Sequence, residues 1–232
     1  MKLSKLASLA VVLSTVIPFA ASAQDEGEDS PLTWSVAAVS DYVWRGVSQS
    51  DEEPTVQAGL TWTAPVGVYV GVWGSGVDFG PGDPDMEVDY FVGYNTDLGE
   101  SVNFDIMLNR YTYPGAASLN FNELIATATF VETYSLTAAY SDDFGGSDTD
   151  SLYVAGGASW GLPNDFSLDA SVGRSMFDNA YSDDYTDWSL GVSRSWGLFS
   201  AALSYHGVDG TGRDVFGDLA DDRVVLTLSL GN

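Results

Sequence analysis

Short segments in which apolar and polar residues alternate recur from about residue 32 to the end of the chain. In the segment 55–63, Val56, Leu60 and Trp62 share one face, while threonine, glutamine and glycine occupy the other. A period of two is typical of a β-strand with one apolar and one polar face. The same alternation recurs in segments 86–95, 188–193 and 224–230. The pattern therefore predicts an all-β protein.

The connections between these segments alternate between short and long. We predict about twelve strands, near residues 32–44, 54–64, 66–77, 86–95, 102–113, 121–130, 134–141, 151–160, 166–176, 185–196, 198–206 and 222–230. Short links fall at 65, 96–101, 131–133, 161–165 and 197, and longer ones at 45–53, 77–85, 112–120, 142–150, 177–184 and 207–221. An even strand number with this alternation predicts a transmembrane up-and-down antiparallel β-barrel with short periplasmic turns and longer extracellular loops.

Aromatic residues with the parity of the apolar face cluster at the predicted strand ends. Such girdles are expected where a barrel crosses the membrane–water boundaries. Soluble barrels and sandwiches also alternate, but their cores have no reason to place aromatics at both strand ends. Next to the short turns lie Trp34, Trp62, Tyr94, Phe104, Phe130, Tyr134, Trp160, Phe166, Trp196 and Phe199, and at the other ends lie Tyr42, Trp44, Tyr140, Trp188 and Tyr205.

The N-terminal segment has the charge, apolar core and cleavage order of a secretory signal. Lys2 and Lys5 precede an apolar run of about 15 residues, and small residues follow at 21–23. The run is shorter than the roughly 20 residues that a spanning helix needs. We therefore predict a signal peptide at 1–23, an acidic disordered lead-in at 24–31 and a barrel at 32–232.

The charge and composition of the chain exclude some classes of binding partner. Outside the signal, the remaining cationic residues are all arginine, and the chain carries 33 acidic residues. This balance argues against nucleic acid, which binds clustered lysine and arginine, and it favours contact with cations. The absence of cysteine excludes disulfides and thiolate metal sites. We expect no cofactor.

Several stretches resemble the TorF family of porins, a family also catalogued as conserved and hypothetical in bacteria. The likeness begins with SDYVWRGVSQS at 40–50 and continues with PTVQAG at 54–59 and VYVGVWGSGVDFG at 68–80. It extends through RYTYPGA at 110–116, YTDWSLGVS at 185–193 and DDRVV at 221–225. The resemblance implies a barrel in the outer membrane of a Gram-negative bacterium that acts as a channel, with no catalytic residues.

Carboxylates fall on the polar, inward-facing parity of several predicted strands. A ring of acidic side chains in a lumen favours cations, although acids there can equally well pair with arginines. We expect this lumen-lining set to comprise Glu87, Asp89, Asp105, Glu123 and Asp169.

Two arginines of inward parity lie near the outer ends of the first and last strands, which become neighbours if the barrel closes. We therefore expect a salt-bridged cluster at the seam or mouth, formed by Asp41, Arg45, Asp221 and Arg223. Three other arginines have outward parity at strand ends, where their long stems can lie along apolar surface and their guanidinium groups can reach the lipid headgroups. These are Arg110, Arg174 and Arg194.

The sequence gives little support for a metal site or for catalytic residues. The acid pairs in the long loops lack the spacing of a calcium-binding loop, so a solvated surface explains them better than a metal site. Ser204, His206 and Asp209 have the residue types of a catalytic triad. However, the rise of a strand separates the first two by about 6–7 Å, beyond hydrogen-bond reach. We expect no enzyme.

The sequence therefore predicts an outer-membrane porin-like channel for passive diffusion of small hydrophilic solutes, preferring cations. Outer-membrane lipid and lipopolysaccharide would surround it. The alternative is a non-conducting barrel that displays acidic loops for surface contact or divalent-cation bridging, since both would show the same strand pattern.

Overall fold

The computed structural model describes residues 30–80, 83–178 and 182–232. The predicted signal peptide at 1–23 and residues 24–29 of the predicted lead-in lie outside these residues. Pro31 already contacts the barrel, because its carbonyl accepts a hydrogen bond from the Thr63 N–H at 2.7 Å.

Across the described ranges, twelve antiparallel strands form one closed barrel, which confirms the predicted fold. In chain order, the barrel strands are β1 Leu32–Val39, β4 Thr55–Thr63, β5 Val68–Gly76, β6 Met86–Asp97, β7 Val102–Thr112, β8 Phe121–Phe130, β9 Tyr134–Ser141, β10 Ser151–Leu162, β11 Phe166–Phe177, β12 Tyr185–Trp196, β13 Phe199–Val208 and β14 Arg223–Gly231. Between the first two barrel strands, β2 Val43–Trp44 and β3 Val47–Ser48 form a separate two-stranded hairpin. Each barrel strand pairs with its neighbour in sequence, and β14 closes the ring against β1 over residue pairs from Ser35↔Gly231 to Val39↔Thr227.

The period of two in the sequence becomes an inner and an outer face. On β4, Val56 is 61% exposed whereas the adjacent Gln57 is 7% exposed, and the alternation continues around the ring. Exposed aliphatic side chains form a continuous outer belt, which is the surface that a lipid bilayer covers. The aromatic residues predicted beside the short turns are exposed or half-exposed on this outer face.

The connections differ between the two ends of the barrel. Turns of a few residues join strands at one end, such as residues 131–133 and 197–198. The other end carries the longer connections, including a short helix, α1 Gly210–Phe216, and three 3₁₀ turns, Ala117–Leu119, Phe144–Gly146 and Gly217–Ala220. We call these the short-turn end and the loop end. No helix in the described ranges combines the length and the apolar character needed to cross a membrane.

The predicted first strand, 32–44, is wrong beyond residue 39. β1 ends at Val39, where the Ser40 N–H donates to the Leu226 carbonyl, and the chain then bends into the barrel. Tyr42 and Trp44 therefore lie inside the barrel, not in the predicted outer girdle, and Tyr42 is buried. Tyr42 and Trp44 keep the even-numbered parity of the outward residues Trp34 and Val36, so parity alone does not reveal where the strand ends.

Candidate functional site

A hairpin folds into the loop end of the barrel and occupies its interior. We call residues 40–54 the inner hairpin. Its strands β2 and β3 meet at a tight turn in which Arg45 and Gly46 have φ of 49° and 79°. At Gly46 an added Cβ would lie 2.4 Å from a Val208 methyl group, so only glycine fits this turn against β13.

The turn of the inner hairpin carries an arginine that reaches across the barrel. Nη2 of Arg45 lies 2.8 Å and 2.9 Å from the two carboxylate oxygens of Glu123 on β8. Because β8 is the fifth strand from β1 in a ring of twelve, this ion pair spans the interior. Glu123 is completely buried, and the Tyr111 hydroxyl donates a third hydrogen bond to it at 3.1 Å.

Aromatic rings enclose the same guanidinium group. It lies 4.3 Å from the ring centre of Trp44 and 4.1 Å from that of Tyr153, within the range of cation–π attraction. Trp44 in turn stacks on Phe144, which belongs to the loop between β9 and β10. A buried aromatic cluster thus fills the interior around the inner hairpin; its buried members are Tyr111, Tyr113, Phe121 and Phe144.

The seam between the first and last strands holds part of the predicted cluster. Arg223 pairs with Asp41 at 2.6 Å, and a second contact joins it to Glu52 at 3.0 Å. Asp221 contributes its backbone carbonyl, which accepts from Arg223 Nε at 3.0 Å. Arg45 does not join this cluster, because the inward fold of the hairpin carries it to Glu123.

The base of the inner hairpin is fixed by the same carboxylate. The hydroxyl groups of Ser48 and Ser50 donate to Asp41 at 2.7 Å and 3.1 Å. Glu52, which completes the contacts of Arg223, lies in a loop without periodicity, so the sequence contained no signal for its role.

The five predicted lumen carboxylates all lie on inward positions of the strands, and each accepts a hydrogen bond. Glu123, Glu87 and Asp89 lie towards the loop end beneath the inner hairpin. Asp105 and Asp169 lie nearer the short-turn end. Apart from Glu123, the donors are the Tyr42 hydroxyl to Glu87 (3.0 Å), the Asn109 amide to Asp89 (3.0 Å), the Tyr69 hydroxyl to Asp105 (2.8 Å) and the Ser159 hydroxyl to Asp169 (2.6 Å).

One further inward carboxylate was missed by the sequence analysis. Asp187 on β12 is buried and accepts from the Tyr153 hydroxyl at 3.2 Å. It has the same parity as Ser189, two residues on, so the period-two rule that selected the other acids also identifies it.

The interior at the short-turn end has a different character from the loop end. Its wall consists of half-exposed serine, threonine and asparagine side chains, many of them paired across neighbouring strands. Examples are the hydroxyl pairs Ser171···Ser189 at 2.7 Å and Ser200···Ser229 at 2.6 Å. The lining of this half of the barrel is therefore polar.

A small cavity of about 30 Å³ separates the inner hairpin from the wall of the barrel. Arg45, Asp187, Ser171 and His206 are among the residues that line it. A space of this size accommodates roughly one or two water molecules, far less than a porin lumen.

The predicted distance between Ser204 and His206 is wrong. Nε2 of His206 lies 2.8 Å from the Ser204 hydroxyl, because the imidazole extends along the strand and spans the gap. The Asp209 carboxylate does not complete a triad, since it accepts from the Gly212 and Thr186 N–H groups at 3.0 Å each. The limited burial of this carboxylate acts to raise its pKa, but these donors lower the pKa below its ordinary value.

The three outward arginines lie on the membrane-facing side of the wall. Arg174 is near Asp184 and Asp209 at 3.5 Å and 3.7 Å, at the loop end. At the short-turn end, the guanidinium group of Arg194 lies 5.0 Å from the ring centre of Phe166 and 4.8 Å from that of Trp196. Arg110 donates to Asn122 at 3.3 Å. Within the described ranges, no group of three or more acidic or histidine side chains is placed to hold a metal ion.

The closed ring, with an apolar outer belt and polar residues on the inward positions of its strands, defines the class, an outer-membrane-type β-barrel. Residues 25–230 match the model of a family described as "Bacterial protein of unknown function (Gcw_chp)", and the chain belongs to that family. This match does not confirm the resemblance to the TorF family. No curated protein matches the sequence.

Solved structures of porins are similar in fold. The KdgM porin has a TM-score of 0.56 at 6% identity, covering 86% of this chain and 97% of its own. The NanC porin has a TM-score of 0.55 at 10% identity, with coverages of 86% and 97%. KdgM porin in complex with disordered oligogalacturonate has a TM-score of 0.53 at 7% identity, with coverages of 86% and 95%. At these identities the similarity shows a shared fold alone.

Proposed function

We propose that the protein lies in the bacterial outer membrane and forms a channel for passive diffusion of small hydrophilic solutes. The observation that carries this proposal is the polar, half-exposed wall of the barrel inside its belt of exposed aliphatic residues. A barrel that served only as an anchor would gain more by packing its whole interior with apolar side chains. The fold shared with porins supports the same function.

We further propose that the channel prefers cations. Asp105 and Asp169 lie four strands apart in the ring of twelve, on β7 and β11, near the polar short-turn half of the interior. Their partners are neutral hydroxyl and amide groups, so no arginine cancels their charge. Carboxylates facing a narrow aqueous passage lower the free energy of a cation and raise that of an anion.

The preference for cations is tested in planar lipid bilayers with a KCl gradient. Openings of the wild-type barrel are expected to show a cation-selective reversal potential. The double variant Asp105→Asn with Asp169→Asn is expected to move this potential most of the way to zero, because it removes both charges and keeps the side-chain volumes.

The matched control is Glu100→Gln, which removes one charge from an exposed turn at the short-turn end. Its reversal potential should stay close to that of the wild type. An unchanged potential in the double variant would show that these two acids do not select ions.

A second function is favoured by the inner hairpin. Because this hairpin and the aromatic cluster fill the loop end, the barrel is also suited to a non-conducting role in which the acidic loops contact surfaces or bridge divalent cations to lipopolysaccharide. Folded, inserted barrels that never conduct, in the wild type or in variants with a displaced hairpin, would favour this second function.

A further inference from the structure

The inner hairpin blocks the interior without belonging to the barrel wall. Its two strands pair only with each other, over two residue pairs, in a sheet separate from the barrel. Val43, Arg45 and Val47 are all at most 7% exposed, so the hairpin is enclosed by the wall and by the other loops. Because none of the ring's own ladders involves it, the hairpin can move without opening the barrel.

A charged contact holds the turn of the hairpin inside, alongside the apolar packing of Val47 against Tyr185 and Val208. Nη2 of Arg45 contacts both carboxylate oxygens of Glu123, both side chains are buried, and the rings of Trp44 and Tyr153 flank the guanidinium group. Glu123 has no other cationic partner among the described ion pairs. Removing one charge from such a pair leaves the other buried without compensation, which is far more costly than removing both.

The base of the hairpin is held by contacts that do not depend on the turn. Asp41 stays bound to Arg223 and to two serine hydroxyls, while Asp51 and Glu52 in the return segment have φ of 50° and 64°. The tip and the base therefore have separate attachments, and loss of the Arg45 contact weakens that of the tip while leaving the contacts of the base in place.

We propose that the inner hairpin is the gate of the channel, and that the ion pair between Arg45 and Glu123 is its latch. This inference rests on the proposed channel function. In the closed state, Arg45 bridges the interior and the aromatic cluster seals it. In the open state, the turn of the hairpin has moved out towards the loop end, and the guanidinium group is solvated.

The latch is tested with Glu123→Gln, which keeps the size of the side chain and an acceptor for Tyr111 but removes the charge. Arg45 is then buried without its counter-ion, so the open state is expected to gain population by about tenfold or more. The double variant Arg45→Met with Glu123→Gln removes both charges of the pair. It is expected to stay closed, which a merely structural role of Glu123 would not produce.

A second measurement follows the hairpin itself and does not need conductance. The chain has no cysteine, so a single Val47→Cys is the only thiol. This buried position should react slowly with a membrane-impermeant maleimide, and about tenfold or more faster when Glu123→Gln is added. Glu53→Cys, at an exposed position of the same loop, should react rapidly in both backgrounds.

The outcomes separate the gate from the channel. Faster labelling together with more frequent openings in Glu123→Gln, both reversed in the double variant, would support the latch. Unchanged labelling and conductance in a channel that does conduct would overturn the latch and leave the channel function standing. Faster labelling without conductance in any folded variant would overturn the channel function, and the gate with it.

Discussion

Two inward glycines give neighbouring tyrosines room to lie across the barrel wall. Tyr69 is directly opposite Gly93 in the β5–β6 ladder, and a Cβ added to this glycine would lie 2.2 Å from the tyrosine ring. The flat position lets the Tyr69 hydroxyl reach Asp105. Tyr153 covers Gly173 in the same way and places its hydroxyl on Asp187.

Gly93→Ala is therefore expected to displace Tyr69, break its hydrogen bond to Asp105 and lower the free energy of unfolding by about 1–3 kcal/mol. Urea unfolding in lipid vesicles, followed by tryptophan fluorescence, measures this loss. Gly156→Ala is the control, because its new methyl group would have no neighbour closer than 3.9 Å. Equal stability of the two variants would contradict the argument.

At the scale of single residues, parity in the sequence predicted which acidic side chains lie on the inner face. It did not predict which residues they contact. Glu123 could be assigned to the interior because the period of two runs unbroken through β8. Its partner Arg45 is 78 residues away and lies on a loop whose inward fold depends on the whole barrel. Sequence periodicity carries no information about such a contact.

At the scale of the elements, strands were predictable wherever one face met lipid. The burial of alternate residues within β4 and β14 reproduces the sequence pattern, because outward positions need apolar side chains. The error at the end of β1 has a related cause. Tyr42 and Trp44 keep the parity of the outward residues of β1, and their rings pack inside the barrel as well as they would in a membrane girdle.

The outer face of β12 offers a test of the membrane belt. Leu190 is exposed near the middle of this strand, so Leu190→Arg is expected to destabilise the inserted barrel by about 2–4 kcal/mol. Leu162→Arg, at the last residue of β10 beside a short turn, should cost only about 0–1 kcal/mol, because arginine can reach the headgroups there. Reversible unfolding in vesicles compares the two. Equal costs would argue against a bilayer centred on the belt.

At the scale of the whole molecule, the two ends of the barrel predict its orientation. The longer connections carry most of the acidic pairs, and the short turns lie at the opposite end. We propose that the short turns face the periplasm, as in bacterial outer-membrane barrels.

Single cysteines test this orientation in intact cells. Glu53→Cys at the loop end is expected to react with a membrane-impermeant maleimide, whereas Glu100→Cys in a short turn is expected to react only after the outer membrane is permeabilised. Both positions are exposed, so differences in burial do not explain the result. The reverse labelling pattern would show that the barrel has the opposite orientation, with the inner hairpin on the periplasmic side.

The ladder between β1 and β14 has a mechanical consequence. It joins five residue pairs, fewer than any other ladder of the barrel, in which seven to twelve pairs are joined. Arg223 sits at the loop end of this line, where its pairs with Asp41 and Glu52 tie the last strand to the chain that leaves the first. A force that pulls the cylinder apart would therefore split it here first, and the base of the inner hairpin would be released in the same event.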